Sequence, residues 1–114
     1  MSRFNMLQAA MRFCRQQHPQ LRASQVELLL AAAARPGSAQ SELAAECDIT
    51  LSAVSRAVDV MGGSGRKDLK SGVKMRWLET KRNPDDERIV QVFVTPKGRQ
   101  FLETLEAILY GSQV

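Results

Sequence analysis

Apolar positions recur at helical spacing through the first half of the chain, then switch to alternation. Phe4, Leu7, Met11 and Cys14 fall on one face of a helix over 3–17, with Met6, Ala10 and Phe13 beside it. That stripe is wider than a one-sided surface helix requires, and His18-Pro19 ends it. Ser24 and Glu27 form an S-x-x-E capping box for a second helix, whose core face is Val26, Leu29, Leu30 and Ala33. Pro36-Gly37 stops it. A short helix starting at Ser38 or Ala39 carries Leu43 and Ala44 inward and ends near Cys47. Asp48-Ile49-Thr50 is a tight connection, and Thr50 is the N-cap of a helix from Leu51 to Met61. Val54, Ala57 or Val58, and Met61 point inward on it. Ser52, Ala53, Ser55, Arg56 and Asp59 then face out, and Gly62-Gly63 closes the helix.

Residues 62–72, GGSGRKDLKSG, read as an inserted basic loop. The period then becomes two. Val73, Met75 and Trp77 alternate with Lys74, Arg76 and Leu78. After a turn over Asn83 to Asp86, Val90, Val92 and Val94 alternate with Gln91 and Phe93. This predicts a β-hairpin with a charged tip. Thr95 caps a last helix with Pro96 at its first position, and Phe101, Leu102, Leu105, Ile108 and Leu109 form its apolar stripe. The predicted chain is one domain over 1–114, mostly α with a small β-hairpin, of α+β class. A helix-turn-helix spans 38–61, a wing spans 73–95, and terminal helices lie in 1–20 and 96–114.

Composition sets limits on function. The chain is 44% hydrophobic and 25% charged, ordinary for a globular domain and against disorder or a disulfide scaffold. No apolar run approaches the roughly 20 residues of a membrane span. Arg3, Arg12 and Arg15 surround a mixed stretch with no apolar signal-peptide region, so a cytoplasmic protein without membrane contact is expected. Cys14, Cys47 and His18 fall short of the roughly four ligands of a zinc site. No nucleophile triad or phosphate loop is present in the sequence. The inventory therefore points to no enzyme, no metal and no cofactor.

Charge is more telling. The net charge of +4 is uneven: residues 56–99 carry eleven basic and six acidic groups, whereas 100–114 carry two acids and no base. A basic central block is the footprint of a nucleic-acid or acidic-surface binder. Helix 51–61 suits that role. A major groove about 12 Å wide admits one α-helix. Small outer residues let the helix sink, and Ser52, Ser55 and Arg56 offer hydrogen bonds to base edges and phosphates. On the hairpin, Lys81 and Arg82 are phosphate candidates. Arg66, Lys67 and Lys70 of the loop are either further contacts or solvated charge.

The chain resembles the MarR-type winged-helix transcription regulators. The likeness runs through 21–25 (LRASQ), 40–44 (QSELA), 50–59 (TLSAVSRAVD), 83–88 (NPDDER) and 94–99 (VTPKGR). The D-x-R at Asp86 to Arg88, followed by T-P-K-G, is its most specific part. The resemblance implies a dimeric repressor of transcription on double-stranded DNA in a prokaryotic cytoplasm or nucleoid, including a phage or mobile-element source. Helix 51–61 would enter the major groove with Thr50, Ser52, Ala53, Ser55 and Arg56. Arg88 would reach the minor groove, oriented by Asp86. The homodimer would join through the terminal helices, by Phe4, Leu7, Met11, Phe101, Leu105, Ile108 and Leu109. A small-molecule effector would sit between the two regions.

Plainer roles fit other residues. Cys14 matches in position the reactive cysteine of peroxide-sensing members, but those use tyrosine partners and Tyr110 is the sole tyrosine. Cys14 and Cys47 read as core residues, Trp77 as packing at the wing base, and His18 as a surface residue at a helix end. The rival reading of the whole chain is a winged-helix protein-interaction module that docks on a polymerase or replication protein.

Overall fold

The computed structural model describes residues 2–62 and 75–110. Among them lie α1 (Arg3–Gln17), α2 (Ala23–Ala34), β1 (Ser38–Ala39), α3 (Gln40–Cys47), α4 (Leu51–Met61), β2 (Leu78–Arg82), β3 (Val90–Val94) and α5 (Pro96–Leu109). The expected loop over 62–72 lies outside the described residues beyond Gly62, as do Val73 and Lys74. The three strands form an antiparallel sheet in the order β1-β3-β2. The architecture is α+β: a helix-turn-helix of α3 and α4, a wing of β2 and β3, and α1 packed along α5.

Local chemistry explains most boundaries. Thr50 Oγ1 accepts the Ala53 N–H at 3.0 Å and starts α4 where the sequence predicts. Asp48 closes α3 in the left-handed region at φ 54°, a conformation short polar side chains tolerate. The Ile49 N–H donates to the Ala44 carbonyl at 3.1 Å. These two links make the three-residue connection tight.

Four expectations need correction. The box at the start of α2 is not Ser24 with Glu27; Gln25 Oε1 accepts the Arg22 N–H at 2.9 Å, because Arg22 is the last extended residue. The buried face of α2 is Leu28, Leu29 and Ala32, with Val26 and Ala33 half-buried and Leu30 exposed. The short helix begins at Gln40, since Ser38 and Ala39 pair with Val92 and Gln91 as an edge strand. Among the described residues the expected strand does not run through 75–77, and the first wing strand is Leu78–Arg82. Arg76 sits at φ 59°, which breaks the alternation, so Trp77 and Leu78 are both buried.

The core draws on every helix and on β2 and β3. Leu28, Leu43, Val54, Met61, Leu78 and Val92 are fully buried. Trp77 stacks on Phe101 at 4.2 Å between centroids, and Phe101 on Phe13 at 5.4 Å, so one aromatic column links α1, α5 and the wing base. Offset stacks of this kind add about 0.5–1.5 kcal/mol each beyond burial. Trp77 is thus the packing residue expected. Cys14 and Cys47 are buried free thiols, also as expected.

At the start of α5 the backbone approaches the wing base closely. Thr95 N–H donates to the Trp77 carbonyl at 2.9 Å. Thr95 Oγ1 donates to the Arg76 carbonyl at 2.6 Å and accepts the Gly98 N–H at 3.1 Å. A methyl on Gly98 would overlap the Trp77 carbonyl oxygen and come within 2.9 Å of Val94 Cγ1. Gly98→Ala should therefore lower stability by about 1–3 kcal/mol in urea unfolding, as overpacking against backbone does. Alanine is otherwise the better helix former, so an unchanged or raised midpoint contradicts this packing.

Candidate nucleic-acid interface

Helix α4 is rooted by Val54, Val58 and Met61. Its exposed edge carries Ser52, Ser55, Arg56 and Asp59, with Ala53 half-buried on one flank. This matches the outer face expected from the sequence, and Thr50 sits at its head as the cap. The C-terminal end is tied to the wing: Trp77 N–H donates to the Met61 carbonyl at 2.7 Å and Met75 N–H to the Val60 carbonyl at 3.4 Å. These two bonds tie the wing base to the helix it follows.

The wing is a five-pair ladder from Leu78↔Val94 to Arg82↔Val90. Asn83 orders its tip, with Oδ1 accepting the Asp85 N–H at 2.7 Å and its carbonyl the Asp86 N–H at 3.2 Å. Arg82 Nη1 donates to the Glu87 carbonyl at 2.8 Å, and Lys81 Nζ lies 5.3 Å from the Phe93 ring centroid. Both cations are exposed, but each is also engaged with the wing itself.

Asp86 holds Arg88 from two sides. Its Oδ1 accepts Arg88 Nε–H at 3.1 Å and its Oδ2 accepts Nη2–H at 3.2 Å. Oδ1 also accepts the Arg88 backbone N–H at 3.1 Å. The guanidinium is planar and forked, so this bidentate grip fixes its direction. Arg88 nonetheless keeps 91% of its side chain in solvent. The side-chain and backbone bonds from Arg88 lower the Asp86 carboxyl below the usual range. The pair both braces the turn and aims a cation outward.

Lys67 and Lys70 lie outside the described residues. The terminal stripes divide unequally. Phe4, Leu7 and Met11 are 83%, 52% and 56% exposed, and Leu109 is also exposed, while Ile108 is half-buried. Phe101 and Leu105 were expected at a dimer interface, but both are 5% exposed inside this chain's own core. Phe101 lies between Phe13 of α1 and Trp77 of the wing base, and Leu105 belongs to the same buried cluster, so both offer little surface to a partner. Both thiols are pushed up in pKa, chiefly by burial, and Cys47 further by Glu27 and Glu46. Neither is an activated thiolate.

Three features escaped sequence reasoning. His18 caps α1 and is half-buried rather than a plain surface residue. It joins Arg22, Gln25, Arg56 and Met75 around an open cavity of about 520 Å³ between the α1–α2 junction and α4. Tyr110 and Leu51 are large apolar side chains left exposed. The cavity has no local signal, because its walls come from distant segments.

No protein-family model and no curated protein sequence matches the chain. Its structure is similar to YusO of Bacillus subtilis, with a TM-score of 0.73 at 16% identity over 94% of this chain and 67% of that one. It is similar to a MarR family transcription regulator, with a TM-score of 0.67 at 18% identity over 95% and 63%. It is also similar to a MepR variant of S. aureus bound to an oligodeoxyribonucleotide, with a TM-score of 0.73 at 18% identity over 96% and 71%. The chain spans about two thirds of the length of these proteins. The fold is that of the MarR-type winged-helix regulators, as the sequence resemblance implies.

The Asp86–Arg88 pair has a pH signature. A carboxyl with a lowered folded pKa contributes its pairing above its ordinary value and loses it as pH falls through the folded value. Carboxyl NMR should show Asp86 titrating below the ordinary aspartate range, and Arg88→Ala should return it there. Arg88→Ala should leave the thermal midpoint nearly unchanged, since exposed pairs contribute little to stability. An Asp86 carboxyl that titrates alike with and without Arg88 rules the bracing out.

Proposed function

We propose that the chain is a sequence-specific double-stranded DNA-binding transcriptional regulator, acting as a repressor in a prokaryotic cytoplasm or nucleoid. The observation that carries this is one surface: a reading edge on α4 whose exposed side chains, Leu51 apart, are polar, beside a wing whose Arg88 is held outward by Asp86. α4 lies in the major groove through Thr50, Ser52, Ala53, Ser55 and Arg56. Arg88 enters the adjacent minor groove, and Lys81 and Arg82 meet phosphates, joined by Lys67 and Lys70 of the loop. The DNA-bound MepR variant of like fold supports the reading.

The single domain over 1–114 works as a homodimer. Phe4, Leu7 and Met11, with Ile108 and Leu109, offer the apolar surface that marks an interface. Two-fold symmetry then sets half-sites about 34–36 Å apart and a near-palindromic operator. A small organic anion in the cavity of His18, Arg22 and Arg56 would act as effector, because Arg56 belongs both to its wall and to the reading helix.

Selection of bound duplexes from a random pool tests the function, with a palindromic motif as the expected product. On that motif Arg56→Ala should cost about 1–3 kcal/mol with circular dichroism unchanged. The logarithm of affinity should fall linearly with the logarithm of salt. No enrichment of any sequence favours instead the protein-docking module.

Sedimentation at micromolar concentration tests assembly. Leu7→Asp should convert a dimer to monomer and weaken operator binding more than random-duplex binding. Leu105 is unsuitable for this test, because a charge there would enter the core. A parent protein that sediments as a monomer with and without operator overturns the dimer.

A further inference from the structure

Leu51 opens α4 with 53% of its surface exposed. The other large apolar residues of that helix, Val54, Val58 and Met61, are buried, and Val60 is half-buried. Leu51 lies one helical turn before Ser55 on the same edge. It lines a cleft between the starts of α3 and α4 and the wing, together with Gln40, Ser41, Arg88 and Ile89. Arg88 stands in this cleft and Arg56 is exposed further along the helix, so the surroundings favour a polyanion. An apolar side chain in that setting has a limited choice of partners on DNA. Among major-groove base edges, thymine alone carries an apolar group, its 5-methyl.

We propose that Leu51 is a specificity-determining residue that packs on a thymine 5-methyl group and selects thymine at one position of each half-site. This rests on the DNA-binding reading above. The hydroxyls of Ser52 and Ser55 donate or accept alike and discriminate weakly, whereas Arg56 fits guanine. Leu51 supplies the complementary element, an apolar contact that a cytosine amino edge does not satisfy. The N-terminal residues of a recognition helix are those that meet base edges, and Leu51 is the first of them. Thymine and uracil share every hydrogen-bonding group and differ only by this methyl, so the contact can be isolated chemically.

The experiment uses the selected operator with deoxyuridine replacing thymine one position at a time. The parent protein should lose about fourfold in affinity at one position per half-site, the scale of burying a single methyl-sized group. Leu51→Ala should bind the unmodified operator about fourfold more weakly and show no difference between thymine and deoxyuridine there. Leu51→Gln, which keeps the length and removes the apolar end, should behave the same way. Deoxyuridine tolerated at every position overturns the proposal. So does an undiminished methyl effect in both folded variants, since another residue then reads the methyl. A parent protein that binds no duplex at all overturns the DNA-binding reading itself; binding without methyl dependence overturns only the role of Leu51.

Discussion

The start of α5 clamps the wing base, and most of the structure depends on that contact. Thr95 satisfies the Trp77 carbonyl through its backbone and the Arg76 carbonyl through its hydroxyl, then caps Gly98 with the same oxygen. Arg76 holds a positive φ, which turns Trp77 back against Phe101. One residue later the chain enters β2. Because Gly98 lacks a side chain, the helix axis can lie directly on this segment. The T-P-K-G stretch that looks like a family signature is thus a packing device: a cap, a helix-compatible proline and a close approach.

This clamp helps to position the candidate contacts among the described residues. The segment it holds also donates from Met75 and Trp77 to the last carbonyls of α4. Those carbonyls would otherwise be unpaired helix-end acceptors. Reading helix and wing are therefore tied through one short piece of backbone, and the small sheet adds a second tie by pairing Ser38 and Ala39, just ahead of α3, to β3. A rigid base allows the exposed parts to be long and charged. Arg88 extends far into solvent, yet its direction is set by a carboxylate two residues away, which in turn is set by the Asn83 turn.

Much of this was legible in the sequence because the controlling interactions are local. Thr50 and Thr95 announce α4 and α5, as an oxygen three residues before an amide must. Helical period alone gives Val54, Met61 and one of Ala57 and Val58 as the inward set, with Ser52, Ser55, Arg56 and Asp59 opposite; the fold buries Val58 and leaves Ala57 half-buried. The Asp86–Arg88 pair spans two residues and survives translation from sequence to geometry for the same reason. Errors came where local signals compete. Ser24 and Glu27 fit the S-x-x-E pattern, but the extended backbone at Arg22 sets the cap two residues earlier, with Gln25 reaching back to it. Alternation over 73–78 resembles a strand, but a single left-handed residue at Arg76 breaks it.

The sequence by itself determined the order of the helices, the caps of α4 and α5 and the charge of the reading surface, because each is set within one or two turns of chain. Only the tertiary structure decided which apolar residues are spent on the chain's own core. Phe101 and Leu105 look equivalent to Leu109 on a helical wheel, yet the first two are buried in the core while the last is exposed. Likewise Leu51 and Val54 are both apolar residues of α4, and only their placement against the rest of the fold leaves one at the surface. Burial depends on contacts between segments tens of residues apart, and periodicity along one element carries no record of what packs against it.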